Sequence, residues 1–73
     1  MDGRLKRLDR QRQYGFIEGD KADYFFHRDD FDGHWEDLAD DYDAKRTVHL
    51  EFNPTRTSKG LRAEDVRRTD GGV

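Results

Sequence analysis

The chain contains no cysteine, which removes disulfide staples and thiolate metal sites from consideration. Its one serine, Ser58, has no flanking motif, so a nucleophilic triad has nothing to build on. No apolar run approaches the length of a signal-peptide core or a membrane span, and a cytoplasmic protein without a membrane partner is the expectation. Hydrophobic residues are themselves scarce, at 32% against 42% charged, with a mean hydropathy of −1.28. That balance alone leans toward disorder. Against it stand 12% aromatic residues and clear strand alternation in a chain of 73 residues, near the size at which one core is only just sufficient. The expectation is one small folded domain over residues 1–69 with a thin core, followed by a flexible tail over 70–73.

What is present is unevenly distributed. Residues 29–44 hold eight Asp or Glu and no Lys or Arg, whereas the flanking segments are mildly basic. Five cations (Arg4, Lys6, Arg7, Arg10 and Arg12) crowd the first twelve residues. They lead directly into QYGFIEGDKADYFFH, residues 13–27, where six of fifteen positions are aromatic or histidine. Read as a hairpin of two strands, this stretch sorts its rings by face, because side chains alternate along a strand. Tyr14 and Phe16 point one way on the first strand, and Phe25 and His27 share a face on the second. Tyr24 and Phe26 take the opposite face. A face of rings facing the core is ordinary; a second one, interleaved with cations, points to a ligand.

The rest of the chain reads as further strands. GRLKRL is a first strand in which Leu5 and Leu8 share a face only if it is bulged, and DRQRQ turns it into YGFIEG. GDKAD connects to YFFH. TVHLEF places Val48, Leu50 and Phe52 inward, Asn53-Pro54 ends it, and TRTSKG follows as a loop. LRAEDVR closes the chain, burying Leu61, Ala63 and Val66. Five short strands separated by turn signals predict an all-β fold, a small closed barrel. Between the third and fourth strands, Trp35, Leu38, Ala39 and Tyr42 fall at helical spacing, which predicts a turn or two of helix over one end of the barrel.

Other chemistries lack their parts. In DDFDGHWEDLADD, Asp30, Asp32 and Gly33 fit positions 3, 5 and 6 of a calcium loop, but Arg28 and Ala39 then stand where the first ligand and the closing glutamate belong. His27, His34 and His49 lack zinc-ligand spacing and partners. No catalytic residues, metal or cofactor are expected, and the protein is read as a non-enzyme.

The motifs YGFI, then DYFFH, then KGLRAEDV make the chain resemble a bacterial cold-shock domain from about Gly3 to Thr69. The order matters: in an RRM the DYFFH-like element comes first, with a helix and a strand before the YGFI-like one. The resemblance implies a five-stranded antiparallel OB-fold barrel, here with a long, partly helical acidic connection between strands three and four. It further implies binding of single-stranded RNA or DNA by a monomer. On the matching positions, Tyr14, Phe16, Phe25 and His27 would stack bases, Lys6 and Arg12 would meet phosphates, Asp23 would hydrogen-bond a base edge, and Lys59 would stand at the rim.

Several positions depart from that pattern. A Lys-Trp-Phe run is replaced by Lys6-Arg7-Leu8, a glycine by Gln13, and a ring after the histidine by Arg28. The guanidinium planes of Arg7 and Arg28 can stack in place of rings. Trp35 is the candidate for a ring that folds over a base from the connection, although it also heads the helical stripe. The rival expectation is a protein-interaction module in which segment 29–44 meets a basic partner. The preferred one is a single-strand binder acting as an RNA chaperone.

Overall fold

The computed structural model describes residues 1–69; the tail expected over 70–73 lies outside them. Six strands form one sheet: β1 (Asp2–Asp9), β2 (Tyr14–Glu18), β3 (Asp23–His27), β4 (Phe31–Asp32), β5 (His49–Thr57) and β6 (Gly60–Arg68). Their order is β3-β2-β1-β5-β6-β4, and a parallel contact between β3 and β6 at Phe25 and Arg62 closes the ring. The result is an OB-like all-β barrel of five strands, with the two-residue β4 as an extra strand pairing parallel to β6. That extra strand was not expected. Two residues carry no periodicity of their own, and only Phe31 and Asp32 lying beside Val66 and Arg67 makes them a strand.

β1 is bulged as its leucines require. It pairs with β2 at Leu5 and Ile17 and again at Arg7 and Phe16, so Lys6 is the extra residue. The slip turns half-buried Leu5 and buried Leu8 to the same side and leaves consecutive Lys6 and Arg7 both exposed. The inner face collects Ile17, Phe26, Val48, Leu50, Phe52, Ala63 and Val66 along with Leu8, and Tyr24 packs against this core with its ring 5.0 Å from that of Phe52.

β5 runs further than expected, through Asn53 and Pro54 to Thr57. Pairing with β1 stops at Glu51, so Pro54 lies in an edge segment that has only β6 beside it, where a strand tolerates proline. Leu61 is half-buried rather than buried, because it lies near the tip of that projecting hairpin. The predicted helix is present as α1 (Trp35–Asp43), with Trp35, Leu38 and Ala39 buried against the barrel. Its end is a Schellman motif. Lys45 takes φ 61° while the amides of Lys45 and Arg46 donate to the carbonyls of Tyr42 and Asp41. No helix among the described residues is long and apolar enough to cross a membrane.

The turn between β1 and β2 holds a second left-handed residue, Gln13, at φ 64°. Its amide donates to the Asp9 carbonyl at 2.8 Å, and its carbonyl accepts from the Arg28 amide at 2.9 Å. An L-residue held there costs about 1–2 kcal/mol, which glycine would relieve at some expense of unfolded-chain entropy. Gln13→Gly is therefore expected to stabilise the fold by about 0.5–1 kcal/mol, read as a higher urea midpoint. A lower midpoint would show that the glutamine side chain supplies something the backbone account omits.

Four of the eight carboxylates in the acidic connection are met by arginines of the same chain. Arg10 reaches Asp40 at 2.6 Å and Asp43 at 3.4 Å, Arg62 reaches Asp30 at 2.8 Å, and Asp41 sits between Arg68 at 2.7 Å and Arg46 at 2.8 Å. Hydrogen bonds from Arg68 and then Arg46 hold the Asp41 carboxyl below its ordinary value of 3.8, against a smaller opposing effect of burial. A carboxyl lowered in the folded state stabilises it above the unfolded value, and that contribution disappears as pH falls through the depressed value. The melting temperature should therefore drop below about pH 4, and Asp41→Asn should reduce the drop. An unchanged acid profile in that variant would show that Asp41 contributes nothing to pH dependence.

Candidate functional site

The outer face of the β2–β3 hairpin carries the rings together. Tyr14 pairs with His27 and Phe16 with Phe25 in the antiparallel register, so all four side chains project from one face. Centroid distances are 5.5 Å for Tyr14–Phe25, 5.7 Å for Phe16–Phe25 and 6.0 Å for Tyr14–Phe16, with interplanar angles of 37°, 70° and 88°. These are tilted and edge-to-face contacts, favoured by the ring quadrupoles and worth about 0.5–1.5 kcal/mol a pair beyond area burial. The rings are half-buried against one another and belong to no part of the core, so the cluster is ordered before any ligand arrives.

Gly15 makes this spacing possible. It points inward between Tyr14 and Phe16, and a Cβ there would lie 2.8 Å from the Arg7 carbonyl oxygen and 2.9 Å from Phe26 Cε1. Phe26 fills that space on the core side while its neighbours Phe25 and His27 remain on the outer one.

Polar groups border the rings. The Cα of Arg7 on β1 is opposite that of Phe16 on β2, and its side chain is exposed. Lys6, displaced outward by the bulge, donates to Asp23 at 2.8 Å. That hydrogen bond, then the Asp23 charge, raises the ammonium above its ordinary value and keeps it protonated. Lys6, Arg7, Phe16, Asp23 and the helical Tyr42 together line a hollow of about 380 Å³. His27 Nδ1 accepts from the Asp29 amide at 3.1 Å, so in the neutral ring the proton is assigned to Nε2, which remains available as a donor.

Arg12 is exposed in the β1–β2 turn, where its amide donates to Asp9 Oδ1 at 2.9 Å, one residue before Gln13. Arg28, also exposed, borders a separate hollow that includes Phe31, His34 and Asp37. Lys59 lies at the tip of the β5–β6 hairpin, its amide donating to Thr57 Oγ1 at 3.2 Å. None of Arg7, Arg12, Arg28 and Lys59 has an ion-pair partner among the described residues.

Trp35 is placed otherwise than a stacking ring requires. It is only 3% exposed, with its ring 5.9 Å from Phe26 and 6.3 Å from Phe31. It is a core residue, because the helical stripe it begins docks on the open end of the barrel. Two residues join the ring face that the sequence did not assign to it. Arg62 lies beside Phe25 through the closing β3–β6 contact. Alternation between Leu61 and Ala63 already turned it outward, but only closure shows which ring it neighbours. Tyr42, read as part of the buried stripe, is half-buried and shares the hollow with Phe16.

Among the described residues, no three His, Cys, Asp or Glu side chains cluster as metal ligands would. No family model matches the chain, and no curated protein matches it.

Proposed function

We propose that the protein binds single-stranded RNA or DNA on the outer face of the β2–β3 hairpin. The observation that carries this reading is the contiguous cluster of Tyr14, Phe16 and Phe25, ordered by mutual contact outside the core and bordered by Lys6, Arg7 and Arg62. Unpaired bases stack on ring faces at about 1–3 kcal/mol each with little regard to sequence, while Arg7 meets phosphates directly and Lys6 and Arg62 do so by exchanging Asp23 and Asp30 for them. His27 Nε2 and the Lys6–Asp23 pair supply donors and an acceptor for base edges. The resemblance to cold-shock domains in YGFI and DYFFH supports the same reading, as does the OB-like barrel.

A binder of this kind favours melted over paired strands by differential affinity alone, so an RNA chaperone role needs no ATP. The reading carries a cytoplasmic location with it, where transcripts are exposed. A protein-interaction role for residues 29–44 has less to work with, since Asp30, Asp40, Asp41 and Asp43 already face arginines of the same chain.

Titration with oligo-dT and oligo-U at low salt should give saturable binding of both, weakening as salt rises and weaker for a duplex of equal length. Absence of binding to either single strand at low salt would overturn the proposal.

A further inference from the structure

Helix α1 ends beside the ring face, and this juxtaposition reaches further than the hairpin alone. Tyr42 lines the hollow that holds Phe16 and Lys6. It also lines a second concavity of about 490 Å³, together with Arg4, Lys6, Lys45, Arg46 and Thr47. Lys6 and Tyr42 are thus the shared wall between the two. Two carboxylates border the second space, Glu18 held by Arg4 at 2.6 Å and Asp43 facing Arg10 at 3.4 Å; of the other cations there, Lys6 is held by Asp23 and Arg46 by Asp41, each at 2.8 Å. Lys45 has no ion-pair partner among the described residues. The helix-end carbonyls of Asp41 and Tyr42 are already engaged by the Schellman amides, which lessens their repulsion of an anion.

Resting on the single-strand reading above, we infer that the binding track continues past Tyr42. The nucleotide beyond the one on Phe16 stacks against the Tyr42 ring, and its phosphate enters the concavity between Lys6 and Lys45. A helix in the β3–β5 connection thereby lengthens the site, adding a ring on the flank where β1 carries Arg7.

The test compares oligo-dT of about four and about eight nucleotides, within the range one OB barrel covers. Tyr42→Leu keeps apolar bulk against the core while removing the ring, and its melting temperature is checked first. Lys45→Ala removes an exposed charge. Tyr42→Leu should weaken the longer oligonucleotide about fivefold or more and leave the shorter one unchanged. Lys45→Ala should lower the magnitude of the slope of log affinity against log salt by about 0.7 with the longer strand alone. If both variants bind both lengths like the wild type while Phe16→Ala weakens them, the hairpin site stands and the extension is wrong. Equal losses at both lengths would make Tyr42 part of the Phe16 seat and likewise overturn the extension. No binding by the wild type would remove both readings.

Discussion

Replacing Trp35 by alanine should cost about 3–5 kcal/mol, the usual result of removing a buried large aromatic. In a chain of 73 residues, with twelve buried hydrophobic side chains among the described ones, that is enough to abolish most or all of the stability. The ring seals the end of the barrel. It contacts Phe26 from β3 and Phe31 from β4, and it begins the stripe through which Leu38 and Ala39 reach the core. Removing it leaves a cavity that those neighbours cannot all move to fill. Trp35→Phe retains an aromatic contact with both partners and should cost clearly less. Because Trp35 is the sole tryptophan, its emission reports this one position. The free protein should fluoresce to the blue, and saturation with oligo-dT should leave the emission wavelength nearly unchanged. A red, solvent-exposed emission that oligo-dT quenches would return Trp35 to the binding face.

Phe16→Ala and Phe25→Ala should each weaken oligo-dT binding by about 1–3 kcal/mol, roughly five- to 150-fold. Neither belongs to the buried core, so both variants should remain folded, with a modest loss of stability from the ring contacts. Their centroids are 5.7 Å apart, and each also touches Tyr14. The double variant should therefore depart from the sum of the two losses, since removing one ring frees the other to tilt away from its seat. Circular dichroism establishes the fold, and fluorescence anisotropy of a labelled oligonucleotide measures the binding. Wild-type affinity in both folded single variants would sink the ring-platform reading, whatever the affinity of the wild type.

Those two expectations divide the aromatic residues between fold and ligand, and the division was only partly legible in the sequence. Alternation is local, so it placed Tyr14, Phe16, Phe25 and His27 on one face and Tyr24 and Phe26 on the other without knowledge of the barrel. The need for a bulge in β1 was legible as a condition, since Leu5 and Leu8 cannot share a face on a regular strand, but its place at Lys6 comes from the pairing with β2. The stripe from Trp35 to Tyr42 likewise marked a helix by spacing alone.

What depended on distant parts of the chain meeting was decided by the tertiary structure. Closure through the paired position of β3 and β6 brings Arg62, 37 positions along the chain, beside Phe25. Docking of α1 buries Trp35 but leaves Tyr42 half-exposed next to Phe16, although both lie on the same helical stripe. The sequence likewise shows eight acidic residues in a row of sixteen, but not that Arg10, Arg62 and Arg68 fold back to meet them. Periodicity is a property of neighbouring residues and can be read from them. Which ring is covered, and which charge is already matched, depends on surfaces that exist only once the barrel has closed.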